Sequence, residues 1–290
     1  MICEACPRQC HIDRETATGF CKSPAAFRLA RAALHYWEEP CISGTNGSGT
    51  VFFSGCSLRC VFCQNEEISH RNKGREVSDA RLVEIFESLI AQGAENINLV
   101  NPTHYAPRLA EVLSKWRCPV PVVYNSSGYE RVETLRQLEG LVDIYLPDFK
   151  YIRPDKALRY SAAEDYPETA MAALAEMRRQ RPKDVFDERG IMQKGMIVRH
   201  LILPANTNSS LAVLDYMKEC FPDTYLSLMA QYTPCGNLEN TPEINRRITP
   251  REYNKVADYA IALGFDKIFL QKLSSADKNF IPAFDFTGIM

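Results

Sequence analysis

Cys56, Cys60 and Cys63 lie in the run Gly55-Cys-Ser-Leu-Arg-Cys-Val-Phe-Cys-Gln-Asn65, spaced Cys-x3-Cys-x2-Cys with no fourth cysteine close behind. A cubane iron-sulfur cluster presents four irons, so three thiolates from one loop leave one iron with an exchangeable position. Tetrahedral zinc would need a fourth ligand from a distance. The triplet therefore reads as the mount of an open-cornered [4Fe-4S] cluster. A second group, Cys3-x2-Cys6-x3-Cys10-x10-Cys21, sits in a stretch too short to build its own core. Four soft ligands suit either zinc or an auxiliary iron-sulfur cluster, and spacing does not choose between them. Cys41, Cys118, Cys220 and Cys235 follow no metal spacing and read as packing residues.

The elements that must position the triplet are legible from apolar periodicity. Val51-Phe52-Phe53 reads as a short strand running straight into the cysteines. From Ser78 onward helical and strand patterns alternate. Helices are expected over 79–92, 106–116, 130–139, 164–180, 210–220 and 250–263. Strands are expected over 97–100, 120–124, 142–146, 196–203, 225–229 and 267–271. With the strand at Val51 that makes about seven, the signature of parallel β-α units and of a partial or complete barrel. The polar segment 183–194 reads as a surface loop. The expected organisation is a Cys-rich appendage over 1–45 and a barrel over 46–290.

Composition narrows the function classes. Of 290 residues, 46% are hydrophobic and 24% charged, enough to bury a core. A formal charge of -2 with no long basic block argues against nucleic acid as a partner. No apolar run reaches the length of a membrane span, and the amino terminus carries no signal-like segment. Eleven cysteines grouped in this way suit metal chemistry in a reducing compartment, so a cytoplasmic location is expected.

At the triplet the sequence resembles the radical S-adenosylmethionine (SAM) superfamily. The likeness extends over Cys6-Pro-Arg-Gln-Cys10, His35-Tyr-Trp-Glu-Glu-Pro-Cys-Ile-Ser-Gly44, Phe52-Phe-Ser-Gly-Cys56, Cys63-Gln-Asn65 and Val142-Asp-Ile-Tyr-Leu-Pro-Asp-Phe-Lys150. These stretches are similar to iron-sulfur proteins homologous to the pyruvate formate-lyase activating enzyme. The resemblance implies a partial parallel (β/α) barrel with cluster and SAM at the carboxyl ends of its strands. It further implies reductive cleavage of SAM to a 5'-deoxyadenosyl radical that abstracts a hydrogen atom. A glycyl radical enzyme would then be the protein substrate and a flavodoxin or ferredoxin the electron donor; the alternative is a small molecule or peptide substrate.

The resemblance also nominates cofactor residues at the strand ends. The activating enzymes hold the methionyl amine with a Gly-Gly-Glu type motif, whereas this chain has Val100-Asn101-Pro102-Thr103-His104, leaving Asn101 and Thr103 as candidates. Asn125 and Ser127 occupy the polar turn after the third strand. Asp148 and Lys150 match an Asp-x-Lys pattern after the fourth. Arg199 is preferred over His200, because neighbours on a strand face opposite ways. Gln231 stands where an adenine contact is expected, and Phe62 is placed to cover cluster and adenine. His35, His70 and His104 show no partner in the sequence and receive no catalytic role.

Overall fold

The computed structural model describes residues 2–275 and 282–290. In chain order its strands and helices are β1 (Phe27–His35), α1 (Pro40–Ser43), β2 (Ser48–Phe53), α2 (Glu66–Ser69), β3 (Arg75–Val77), α3 (Asp79–Ala91), β4 (Ile97–Val100), α4 (Ala106–Lys115), β5 (Val122–Ser126) and α5 (Val132–Gln137). There follow β6 (Ile144–Pro147), α6 (Pro154–Ser161), α7 (Tyr166–Gln180), β7 (Val185–Phe186), β8 (Met192–Leu201), α8 (Thr207–Cys220), β9 (Tyr225–Met229), α9 (Pro250–Ala262) and β10 (Ile268–Leu270).

The sheet runs β10-β9-β8-β6-β5-β4-β2-β1-β3 and does not close. From β2 to β10 all neighbouring pairs are parallel, which gives the seven parallel strands the alternating pattern predicts. Strands covered on both faces carry near-continuous apolar runs: β2 is buried throughout, and so are β5 and β6. The helices cover the outer face with one apolar side each. In α3 the buried residues are Leu82, Ile85, Phe86 and Leu89, at helical spacing, and the Ser78 side chain caps the first turn by accepting from Arg81 N at 3.1 Å. Thr249 and Glu252 form a reciprocal capping box on α9.

Three features depart from expectation. β1 pairs antiparallel with β2, and β3 with β1, so an antiparallel edge is appended to the parallel sheet. Residues 183–194 are not a plain loop: β7 pairs antiparallel with the start of β8, and Asp187 closes the turn by accepting from the backbone N of Arg189 and Ile191. A helix not anticipated, α6, lies over 154–161 and carries a residue of the site. Among the described residues no helix is long and apolar enough to cross a membrane.

Candidate functional site

β2 delivers the triplet. Past its end the chain turns at Gly55, whose φ of +88° suits a residue without a Cβ. A Cβ there would lie 2.7 Å from the carbonyl oxygen of Cys21, so the amino-terminal segment packs hard against the loop from behind. The same segment clamps the loop's backbone. Arg8 Nε donates to Ser57 O at 2.9 Å, Arg59 donates to Phe20 O, and both guanidinium groups stack on the Phe20 ring at 4.0 and 4.6 Å.

The three thiols face one cavity of about 270 Å³ at the carboxyl ends of the strands. Each has a polar neighbour: Cys60 Sγ lies 3.0 Å from Ser161 Oγ on α6, Cys63 Sγ lies 3.2 Å from Ser69 Oγ on α2, and Cys56 Sγ lies 3.6 Å from Asn101 Oδ1. Burial pushes the free Cys56 thiol up to about 12 and Cys63 to about 11, so a metal that took them as thiolates would have to displace a proton from each.

The candidates assemble unequally around this cavity. Phe62, Asn101, Asn125, Ser127, Asp148, Lys150, Arg199 and Gln231 all line it. Asn101 holds a φ of +58° and donates from Nδ2 to Gly55 O at 2.6 Å, tying the end of β4 to the triplet loop. Phe62 packs edge-on against Tyr232 with centroids 5.7 Å apart. Gln231 accepts from Gln271 at 3.1 Å. Thr103 does not join them: it is fully buried and donates to Glu130 Oε1 at 2.5 Å, away from the thiols. His200 likewise faces the helices, bonded to Phe149 O and Ser210 Oγ, whereas Arg199 faces the cavity.

The cavity floor is a charge network. Lys150 Nζ meets Asp148 at 2.5 Å, and Arg199 meets Asp148 at 3.1 Å, Glu38 at 3.1 Å and Asn125 Oδ1 at 2.5 Å. Burial alone would push the Asp148 carboxyl up, but Lys150 and Arg199 outweigh it and hold it below its usual range. Glu38 also accepts from Asn98 and Asn125, at 3.2 and 3.3 Å. It was missed by sequence reasoning, although it lies inside the family-like stretch 35–44. Its neighbour Glu39 is 8% exposed.

Among the described residues no three His, Cys, Asp or Glu side chains are gathered to ligate one metal ion. The Ser127 Oγ is buried without a hydrogen-bond partner among the described residues, in a cavity otherwise rich in paired polar groups, which is what a site built for a polar cofactor leaves behind. The cavity therefore fits a three-thiolate [4Fe-4S] cluster with SAM beside it. At the amino terminus Cys6 is buried and its thiol raised to about 12, chiefly by burial and further by Cys21, Cys3 and Cys10.

An open parallel barrel with a Cys-x3-Cys-x2-Cys loop at its mouth defines a radical SAM enzyme, and the chain belongs to the radical SAM superfamily, whose family model matches residues 50–194. Its particular relatives include the uncharacterized protein MJ0674 of Methanocaldococcus jannaschii, 28% identical over 279 residues, covering 92% of this chain and 76% of that one. Among solved structures, methylornithine synthase (PylB) superposes with a TM-score of 0.52 at 14% identity, over 74% of this chain and 60% of that one. The FeFe-hydrogenase maturase HydG from Carboxydothermus hydrogenoformans gives 0.49 at 13% identity, over 80% and 56%. This chain thus spans less than two thirds of either structure, and the likeness to PylB is one of fold. The family carries a [4Fe-4S] cluster and SAM and needs an electron donor.

Proposed function

We propose that this enzyme abstracts a hydrogen atom from a polar small molecule or peptide side chain seated in the thiol-lined cavity beside SAM. When bound, the cluster and SAM would supply the hydrogen-abstracting chemistry, with the electron drawn from a flavodoxin- or ferredoxin-type donor. The chain's own residues bind and orient. Cys56, Cys60 and Cys63 hold the cluster, Asn101 fixes the loop that bears them, and Ser127 offers its unpartnered hydroxyl. Lys150 and Arg199 would hold the SAM carboxylate, with Asp148 keeping both cations in place. Phe62 and Gln231, on the cavity wall, would receive the adenine.

The observation that carries the reading is the floor itself. Glu38, Asp148, Lys150 and Arg199 all line the cavity that holds the thiols. A backbone glycine, the target expected from the resemblance to activating enzymes, offers only its peptide groups to such a surface. A polar substrate offers charge and hydrogen bonds.

The test is anaerobic reconstitution with iron and sulfide, followed by assay for 5'-deoxyadenosine with and without deuterated candidate substrates. Wild type is expected to cleave SAM, and Cys60→Ala is not. Deuterium appearing in deoxyadenosine from a small substrate supports the reading. A glycyl radical signal on a partner enzyme in place of such transfer overturns it.

A further inference from the structure

Beside the SAM cavity lies a second one of about 340 Å³, between the turn at 37–40 and the strands β9 and β10. The two share Trp37, Glu38, Arg199, Met229 and Gln231 as walls, so they adjoin across these side chains. Glu39, Ser227 and Gln271 line only the second.

Glu39 is the unusual member. Its side chain is more than nine-tenths buried, and its Oε2 has no hydrogen-bond partner among the described residues. Burying an acceptor unpaired costs roughly 1–3 kcal/mol, more if it is charged, so the position is expensive unless a ligand completes it. Burial raises its carboxyl above the usual range, with Arg199 and the Ser227 hydroxyl opposing the effect and Glu38 adding to it. The charge count points the same way. Across the two cavities Lys150 and Arg199 face three carboxyl groups, those of Glu38, Glu39 and Asp148. Arg199 and Lys150 are committed to Glu38 and Asp148, which leaves Glu39 as the carboxyl with no ion pair of its own among the described residues.

We propose that the second cavity binds a protonated amine of the substrate, with Glu39 as its acceptor, so that the carbon chain attached to it extends toward the thiol-lined cavity. The proposal rests on the functional reading above and narrows its substrate class to amine-bearing molecules. Ser227 and the carboxamides of Gln231 and Gln271 complete a polar wall around the nitrogen, and the shared wall at Met229 faces the chain's methylenes.

The experiment uses the reconstituted holoenzyme with SAM and three probes of one length: n-pentylamine, 1-pentanol and pentanoate. Calorimetry is expected to give an affinity for the amine at least about tenfold above that for the alcohol, as a charge-assisted hydrogen bond supplies, with pentanoate weakest. Glu39→Gln is expected to remove about that factor for the amine and leave the alcohol unchanged. Equal binding of amine and alcohol by wild type overturns the proposal, whatever the variant does. So does an undiminished amine affinity in a folded Glu39→Gln enzyme. The cluster's electron paramagnetic resonance spectrum with and without SAM, on the same preparation, separates the two levels. A SAM response without amine preference sinks this inference alone, and no SAM response sinks the functional reading beneath it.

Discussion

Glu38 and Arg199 meet at 3.1 Å across the barrel interior, joining the turn after β1 to β8 through residues 161 positions apart. The pair is largely buried, and Arg199 is also the partner of Asp148. Removing one member of a buried network leaves the others charged and unpaired, which typically costs ~3–5 kcal/mol. Arg199→Met is therefore expected to lower stability by that order and to weaken SAM binding, read by denaturant unfolding and equilibrium dialysis. Arg199→Lys keeps the charge but not the planar fork that spans Glu38, Asp148 and Asn125 together, and should fall between. Wild-type SAM affinity in Arg199→Met would remove Arg199 from the cofactor site.

Gly55 couples the amino-terminal segment to the cluster loop. Gly55→Ala places a Cβ against the Cys21 carbonyl and forces an alanine to φ +88°. Each such backbone strain costs on the order of 1–3 kcal/mol. The nearest atom, Ser23 Oγ, belongs to a buried side chain that can rotate, but the Cys21 carbonyl behind it is backbone and cannot yield in that way. The expected outcome is a loop displaced enough to hold iron poorly, with the charge-transfer absorbance near 400 nm reduced well below that of wild type at equal protein concentration. A variant that loads iron normally would show that the segment merely lies alongside.

Much of this arrangement was legible beforehand. The inner parallel strands show as apolar runs because both of their faces are covered, whereas β10 at the edge is only partly covered, and α3 shows as a stripe because one face is not. Choosing Arg199 over His200 required only the two-residue period of a strand. β1 was not legible: Phe27-Arg-Leu-Ala-Arg-Ala-Ala-Leu-His35 is rich in alanine, leucine and arginine, and pairing with β2 decides it. Thr103 follows β4 as expected, yet the 3-10 turn over Thr103–Tyr105 aims its hydroxyl at Glu130. Glu38 escaped because a lone carboxylate in a turn has no spacing signal. Its partners, Asn98, Asn125 and Arg199, come from three different strands.

The amino-terminal cysteines can be separated from the triplet by metal content. We propose that Cys3, Cys6, Cys10 and Cys21 bind their own zinc or auxiliary cluster in an appendage over 1–45, although β1 within that range is hydrogen-bonded into the main sheet. Cys6→Ser is expected to remove that metal and retain the triplet's roughly four irons, while Cys60→Ala does the reverse. Elemental analysis of both, for zinc and iron, checks this. Identical metal content in Cys6→Ser and wild type would leave the amino-terminal thiols as packing residues.

Glu130 gives stability a pH dependence whose sign is opposite to that of the buried histidines. It accepts from Thr103 Oγ1 and from Tyr124 OH at 3.1 Å, and burial nevertheless raises its carboxyl from 4.5 to about 7. A folded value above the unfolded one means the native state holds the proton more tightly. This contribution is complete below about pH 4.5 and is lost as pH rises through 7, at ~1.4 kcal/mol per unit. His200 and His104, lowered to about 4 and about 3 by burial first, work the other way: their contribution is present above 6.5 and is lost as pH falls toward those values. Glu130→Gln isolates the first effect, since it keeps the shape and cannot ionise. Its stability relative to wild type should rise by ~3 kcal/mol between pH 4.5 and 7 and then stay level to pH 9, measured by urea unfolding at each pH. Parallel curves for the two proteins would mean that the Glu130 carboxyl ionises over one range whether folded or not.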